Sequence, residues 1–161
     1  MQTNMLHVLE RCSDGSPGVS KTIRTAGDGE KPKMGDKVRI KYSAMLDDGT
    51  MFASSSTVRN KTGEIEITLG MREMYGTGGD LGLVSMRVGE RAMITASPEF
   101  SYGEEGVGKA IPPNARLTFD ATLIAIIDPA SAMYKELRRG LVMGALVIGF
   151  VLFIAFYGPR H

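Results

Sequence analysis

The chain has 161 residues, room for one ordinary domain and a tail. Its 19 Lys and Arg against 18 Asp and Glu leave a net charge of +1, without the basic excess that nucleic-acid binders use to neutralise phosphate. Cys12 is the only cysteine, and His7 and His161 stand near opposite ends; an intrachain disulfide, a cysteine-built zinc site and a central histidine-based catalytic pair are excluded.

The N-terminal extension, residues 1–17, leaves two readings open: an added edge strand through Leu6, Val8 and Leu9, or a loose segment. It holds no basic region followed by an apolar stretch, so no secretory signal is expected. Val38 to Leu46 reads as a strand leading into the turn Asp47-Asp48-Gly49 and then Thr50-Met51-Phe52. Ile65, Ile67 and Leu69 alternate with polar residues, as do Ala92, Ile94 and Ala96. The longest alternation puts Leu117, Phe119, Ala121, Leu123 and Ala125 on one face. Period-2 patterns of this kind predict antiparallel strands with one buried face. Only Asp80–Met86 resembles a helix, weakened by Gly82, and Gly76-Thr77-Gly78-Gly79 reads as a flexible loop. The expected class is α+β, a curved antiparallel sheet against one short helix.

The end of the chain differs in kind. Residues 140–157, GLVMGALVIGFVLFIAFY, hold no charge over 18 positions, the length of a transmembrane helix. Asp128 and Pro129 suit a helix start, which predicts a juxtamembrane helix over 128–139, a span over 140–157 and a short translocated tail over 158–161. Lys135, Arg138 and Arg139 precede the span and Arg160 alone follows it. The positive-inside bias then keeps the domain on the cytosolic or matrix-like side, at an endoplasmic reticulum or mitochondrial membrane. Gly140, Gly144, Ala145 and Gly149 have the small-residue spacing of helix–helix contacts within a bilayer.

Two motif readings fail. Gly103-Glu-Glu-Gly-Val-Gly108-Lys109 has the spacing of a phosphate-binding loop, but Ala110 replaces the magnesium-holding hydroxyl and Glu104 and Glu105 repel phosphate. Pro112 and Pro113 stand where a helix would have to begin. No His, Cys or carboxylate set has metal-ligand spacing, and neither a metal nor a cofactor is expected. An aromatic and apolar set remains: Tyr42, Phe52, Phe100, Tyr102 and Phe119, with Ile111. By itself it fits a sheet core as well as a binding site.

Several blocks decide between these. They are Gly35-Asp-Lys-Val-Arg-Ile-Lys-Tyr42, Leu46-Asp-Asp-Gly-Thr-Met-Phe52, Ser54-Ser55, Leu69-Gly70 and Met86-Arg-Val-Gly-Glu-Arg-Ala92. Ser97-Pro98-Glu-Phe-Ser-Tyr102-Gly103 and Ile111-Pro-Pro-Asn-Ala-Arg-Leu-Thr-Phe119-Asp120 complete the series. In this order they resemble the FKBP-type peptidyl-prolyl isomerases over residues 18–127. The resemblance implies a five- or six-stranded antiparallel sheet wrapped around one short helix. It also implies a pocket between sheet and helix, with Tyr42, Phe52, Tyr102 and Phe119 as the catalytic set. Met74, Tyr75, Ile111 and Ile65 become substrate-binding positions, Tyr75 through its backbone N–H. Proline-containing client proteins are the implied partners, and no nucleic acid is.

This chain departs from the family pattern at the pocket. Ala53 stands where an Asp is common, and there is no Trp for the pocket floor; Gly79 or Leu81 takes that place. Losing an indole floor removes a large apolar contact, so weak or absent macrolide binding and reduced or selective activity are expected. Two functions stay open: a membrane-anchored isomerase, or a non-catalytic accessory or scaffold subunit of a membrane complex.

Overall fold

The structure, a computed structural model, describes residues 6–57 and 62–127. The strands are β1 (Leu6–Arg11), β2 (Pro17–Thr25), β3 (Lys37–Leu46), β4 (Met51–Ser54), β5 (Ile65–Thr68), β6 (Arg91–Ala96) and β7 (Leu117–Ile127). They form one sheet in the order β1-β2-β6-β7-β3-β4, with β5 also on β3. The pairs β1–β2, β2–β6, β6–β7, β3–β4 and β3–β5 are antiparallel. Among the described residues one α-helix, α1 (Thr77–Ser85), packs against β2 and β6.

The sheet has seven strands rather than the five or six implied by the resemblance. One reason is β1, which pairs with β2 from Leu6 opposite Thr22 to Arg11 opposite Pro17. The other is the length of β3. Its first half, Lys37–Ile40, pairs with β5, and its second half, Ser43–Met45, pairs with β4.

Alternation along the strands builds the core. Val38, Ile40, Ile94, Leu117, Phe119, Ala121 and Leu123 are buried, while Lys41, Arg91 and Thr122 lie on the other face. β2 breaks this pattern on its inward face with a lysine. Lys21 is buried, its Nζ 2.8 Å from Glu90 Oε1 and 2.9 Å from the Ser85 carbonyl. Glu90 Oε2 accepts the Arg87 N–H at 3.0 Å. One buried ion pair thus ties β2 to the segment in which α1 ends, and every group in it is hydrogen-bonded as burial requires.

The helix corrects the sequence reading. It begins three residues before Asp80, so Thr77-Gly78-Gly79 is its first turn and not a flexible loop. Intrinsic propensity disfavours this, but close packing requires it. A Cβ at Gly82 would run into the Ile94 side chain, and one at Gly79 into the Met74 carbonyl. The helix lies against its neighbours at a distance that only glycine permits.

Among the described residues, no helix is long and apolar enough to cross a membrane. The expected juxtamembrane helix (128–139), span (140–157), tail (158–161) and contact positions Gly140, Gly144, Ala145 and Gly149 lie outside the described residues.

Candidate functional site

Tyr42 sits where β3 exchanges one neighbour for another, and side chains serve its backbone there. Its N–H donates to Ser55 Oγ at 3.0 Å, and its carbonyl accepts from Ser54 Oγ and Ser55 Oγ at 3.3 Å each. This clamp explains why two successive serines follow Phe52 and Ala53 in the hairpin. β4 brings in Phe52, and the turn Asp47–Gly49 sets its register through Leu46 N–H to Thr50 O at 2.9 Å. Tyr102 follows a 3-10 turn at Pro98–Phe100, and its carbonyl accepts from Gly106 N–H at 3.3 Å. The segment once considered for phosphate closes as a small hairpin, Val107 bridging to Ile111.

Four of the expected site residues meet as rings. Tyr75 is the centre. Its ring lies 6.0 Å from that of Phe119, nearly parallel at 16°. Phe52 meets it edge-on at 5.2 Å and 89°, and Tyr42 at 6.1 Å and 57°. These are the offset and edge-to-face arrangements that aromatic quadrupoles favour. The Tyr42 and Tyr75 hydroxyls are 3.2 Å apart, within hydrogen-bonding distance. Burial, reinforced by this contact, pushes the Tyr42 phenol well above its ordinary pKa. The Tyr102 phenol is raised as well, chiefly by burial and then by the electrostatic influence of Tyr75. The phenols of Tyr42 and Tyr102 are therefore neutral hydrogen-bonding groups at physiological pH.

Not every expected residue faces outward. Met74 and Phe119 are 0% exposed and Ile111 is 2% exposed. These three belong to the buried core against which the half-buried rings pack. Tyr42, Phe52, Tyr75, Tyr102 and Ile65 are half-buried against the core. Ile65 opens β5 opposite Ile40.

Sequence reasoning used Tyr75 only for its backbone and missed its ring. Tyr75 has φ 56, a left-handed conformation, and so does Arg72 with φ 58; both are uncommon for residues other than glycine. Asp80 was also missed as a supporting group. It is 2% exposed, and its Oδ2 accepts the Arg72 N–H at 3.0 Å while Oδ1 has no partner. Burial raises the pKa of this carboxyl. The only signal in sequence was an acid set among glycines and leucines. Among the described residues, no group of three His, Cys, Asp or Glu could hold a metal ion.

Comparison with known proteins adds to this geometry. A family model described as FKBP-type peptidyl-prolyl cis-trans isomerase matches residues 28–124. The peptidyl-prolyl cis-trans isomerase Fkbp12 of Drosophila melanogaster is 40% identical over 110 residues, covering 68% of this chain and 98% of the relative. FK506-binding protein 1 of Dictyostelium discoideum is 39% identical over 107 residues, 66% of this chain and 96% of the relative. Among solved structures, the N-terminal domain of FKBP42 from Arabidopsis thaliana superposes with a TM-score of 0.65 at 27% identity, over 80% of this chain and 96% of that one. A peptidyl-prolyl cis-trans isomerase from Pseudomonas syringae pv. tomato gives a TM-score of 0.61 at 26% identity, over 75% and 82%. With a matching family model over more than half its length and curated relatives matched almost end to end, the chain belongs to the FKBP-type peptidyl-prolyl cis-trans isomerases.

Proposed function

We propose that this chain isomerises X–Pro bonds in proline-containing client proteins while residues 140–157 anchor it in an endoplasmic reticulum or mitochondrial membrane. The domain faces the cytosolic or matrix-like side in this reading. The observation that carries the chemistry is the cluster of half-buried rings, Tyr42, Phe52 and Tyr75, which holds no nucleophile and in which burial keeps the Tyr42 phenol neutral. Such a site suits a reaction in which no covalent bond is made or broken. Rotation about an X–Pro bond is opposed by amide resonance, with a barrier of about 18–20 kcal/mol. The twisted amide is less polar across C–N than the planar one, so an apolar enclosure disfavours the planar ground state. A phenol held in place, such as that of Tyr102, can hydrogen-bond the twisted geometry without reorganising.

We further infer altered or reduced activity, supported by Ala53 in place of an acid and by a glycine-lined helix start without a large floor residue. Proline-isomerisation kinetics on the full chain in mild detergent test the reading. Turnover of short X–Pro peptides is expected, with Phe52→Ala and Tyr102→Phe lowering kcat/KM. Absence of turnover in the intact chain overturns the proposal. One observation favours the second reading, a non-catalytic accessory subunit: the Tyr75 ring lies over Phe119, which has no exposed surface. In that case mild-detergent purification yields a fixed membrane partner and the peptide assay yields nothing.

A further inference from the structure

We propose that the Tyr75 side chain is the specificity-determining wall of the pocket and limits how deep a substrate ring can enter; this rests on the isomerase reading above. Three observations converge on it. The Tyr75 ring stacks on Phe119 at 6.0 Å and 16°, and Phe119 is 0% exposed. Of these two stacked rings only that of Tyr75, which is half-buried, is open to an entering ring. The same ring joins the half-buried members of the cluster: Phe52 packs edge-on at 5.2 Å, and the Tyr42 hydroxyl lies 3.2 Å from its own. An aromatic side chain held on three sides does not turn aside as an exposed one would.

The third observation is how the ring is delivered. Tyr75 and Arg72 both have left-handed backbones, φ 56 and 58. The turn they form presses on α1, where the Met74 carbonyl lies against Gly79 and Asp80 Oδ2 accepts the Arg72 N–H. This conformation is unfavourable for a tyrosine in isolation and persists only where the surroundings fix it. Here the surroundings direct the side chain into the cluster. With Phe119 covered and the Tyr75 ring packed against it, the site favours a five-membered proline ring over a bulkier six-membered homologue. One methylene in an apolar pocket is worth about 10–200-fold in kcat/KM, so the limit is measurable.

The test compares two peptides that differ only in proline or pipecolic acid, using the full chain in detergent micelles. In parallel, NMR follows ring-labelled tyrosine. The prolyl peptide is expected to shift the Tyr75 ring resonances. The prolyl-to-pipecolyl ratio of kcat/KM should fall about tenfold or more in Tyr75→Ala and Tyr75→Val, and stay within about twofold in Tyr75→Phe. An unchanged ratio in folded Tyr75→Ala or Tyr75→Val, with active wild type, overturns the inference and leaves the isomerase reading standing. So does a prolyl peptide that shifts other tyrosines and not Tyr75. If wild type turns over neither peptide but binds the prolyl one more tightly than the pipecolyl one, a preference lost in Tyr75→Ala, the isomerase reading fails and the wall stands. Should both smaller variants fail to fold, Tyr75→Leu is read by the same criterion, an unchanged ratio overturning the inference.

Discussion

Among the described residues the Tyr42 hydroxyl has one hydrogen-bond partner, the Tyr75 hydroxyl, so its removal isolates a single contact. Tyr42→Phe deletes the 3.2 Å contact with Tyr75, and a loss of about 0.5–1.5 kcal/mol in unfolding free energy is expected from denaturant titration. The raised phenols of Tyr42 and Tyr102 give a second prediction. Both stay protonated through the range in which unperturbed histidines titrate, so kcat/KM should be flat from about pH 6 to about pH 9. A rate change in that interval would place an ionisable group in the reaction that the ring cluster does not contain. Asp80 gives the third. Its folded-state pKa lies above its unfolded value, so between those two values the native state holds more protons than the unfolded one. Stability contributed by this group is then lost as pH rises through that window and regained on acidification. Relative to Asp80→Asn, which does not titrate, the wild type should weaken as pH climbs from about 4, read from denaturation midpoints at a series of pH values.

Among the elements, β2 and α1 carry the most specific expectations. Lys21→Met leaves Glu90 buried without its counter-charge and should cost about 3–5 kcal/mol, with Lys21→Met/Glu90→Leu recovering most of it. Gly79→Ala forces a methyl group onto the Met74 carbonyl. The gain of about 1 kcal/mol in helix propensity is outweighed by overpacking of about 1–3 kcal/mol against backbone that cannot move aside. These two elements are also where sequence patterning ran out. The faces of β3, β5, β6 and β7 could be read because Val38, Ile67, Ile94 and Phe119 alternate with polar neighbours. β2 hid its face because a lysine occupies the inward position between Val19 and Ile23, and only a partner 69 residues away makes that position acceptable. The first turn of α1 hid because glycine reads locally as a breaker, whereas its reason here is a distance to another element. The ring of Tyr75 was illegible for a related cause: its direction follows from the sign of φ, which no side-chain pattern encodes. That residues near 42, 52, 102 and 119 belong together came from blocks of resemblance, since alternation alone does not separate a pocket from a core.

For the whole molecule, the described residues and the 140–157 segment make separate demands. The folded part closes its own core from Val19 to Leu123. The uncharged stretch of 18 residues has the length of a bilayer core. The full chain should therefore sediment with membranes and resist alkaline extraction, while a chain lacking 140–157 is recovered in the supernatant and keeps its peptide turnover. Recovery of both forms in the supernatant would refute the anchor without bearing on the pocket.

The fit between Gly79 and the Met74 carbonyl has an evolutionary corollary. A bulky aromatic at position 79 cannot be added while the neighbouring turn stays as it is, and taking away the tyrosine first removes a ring packed against Phe119. The two ways of furnishing the cavity are therefore separated by unfit intermediates, and lineages on either side should rarely cross. Sequences that retain glycine here should keep a ring at position 75, and sequences that lose that ring should change both places together.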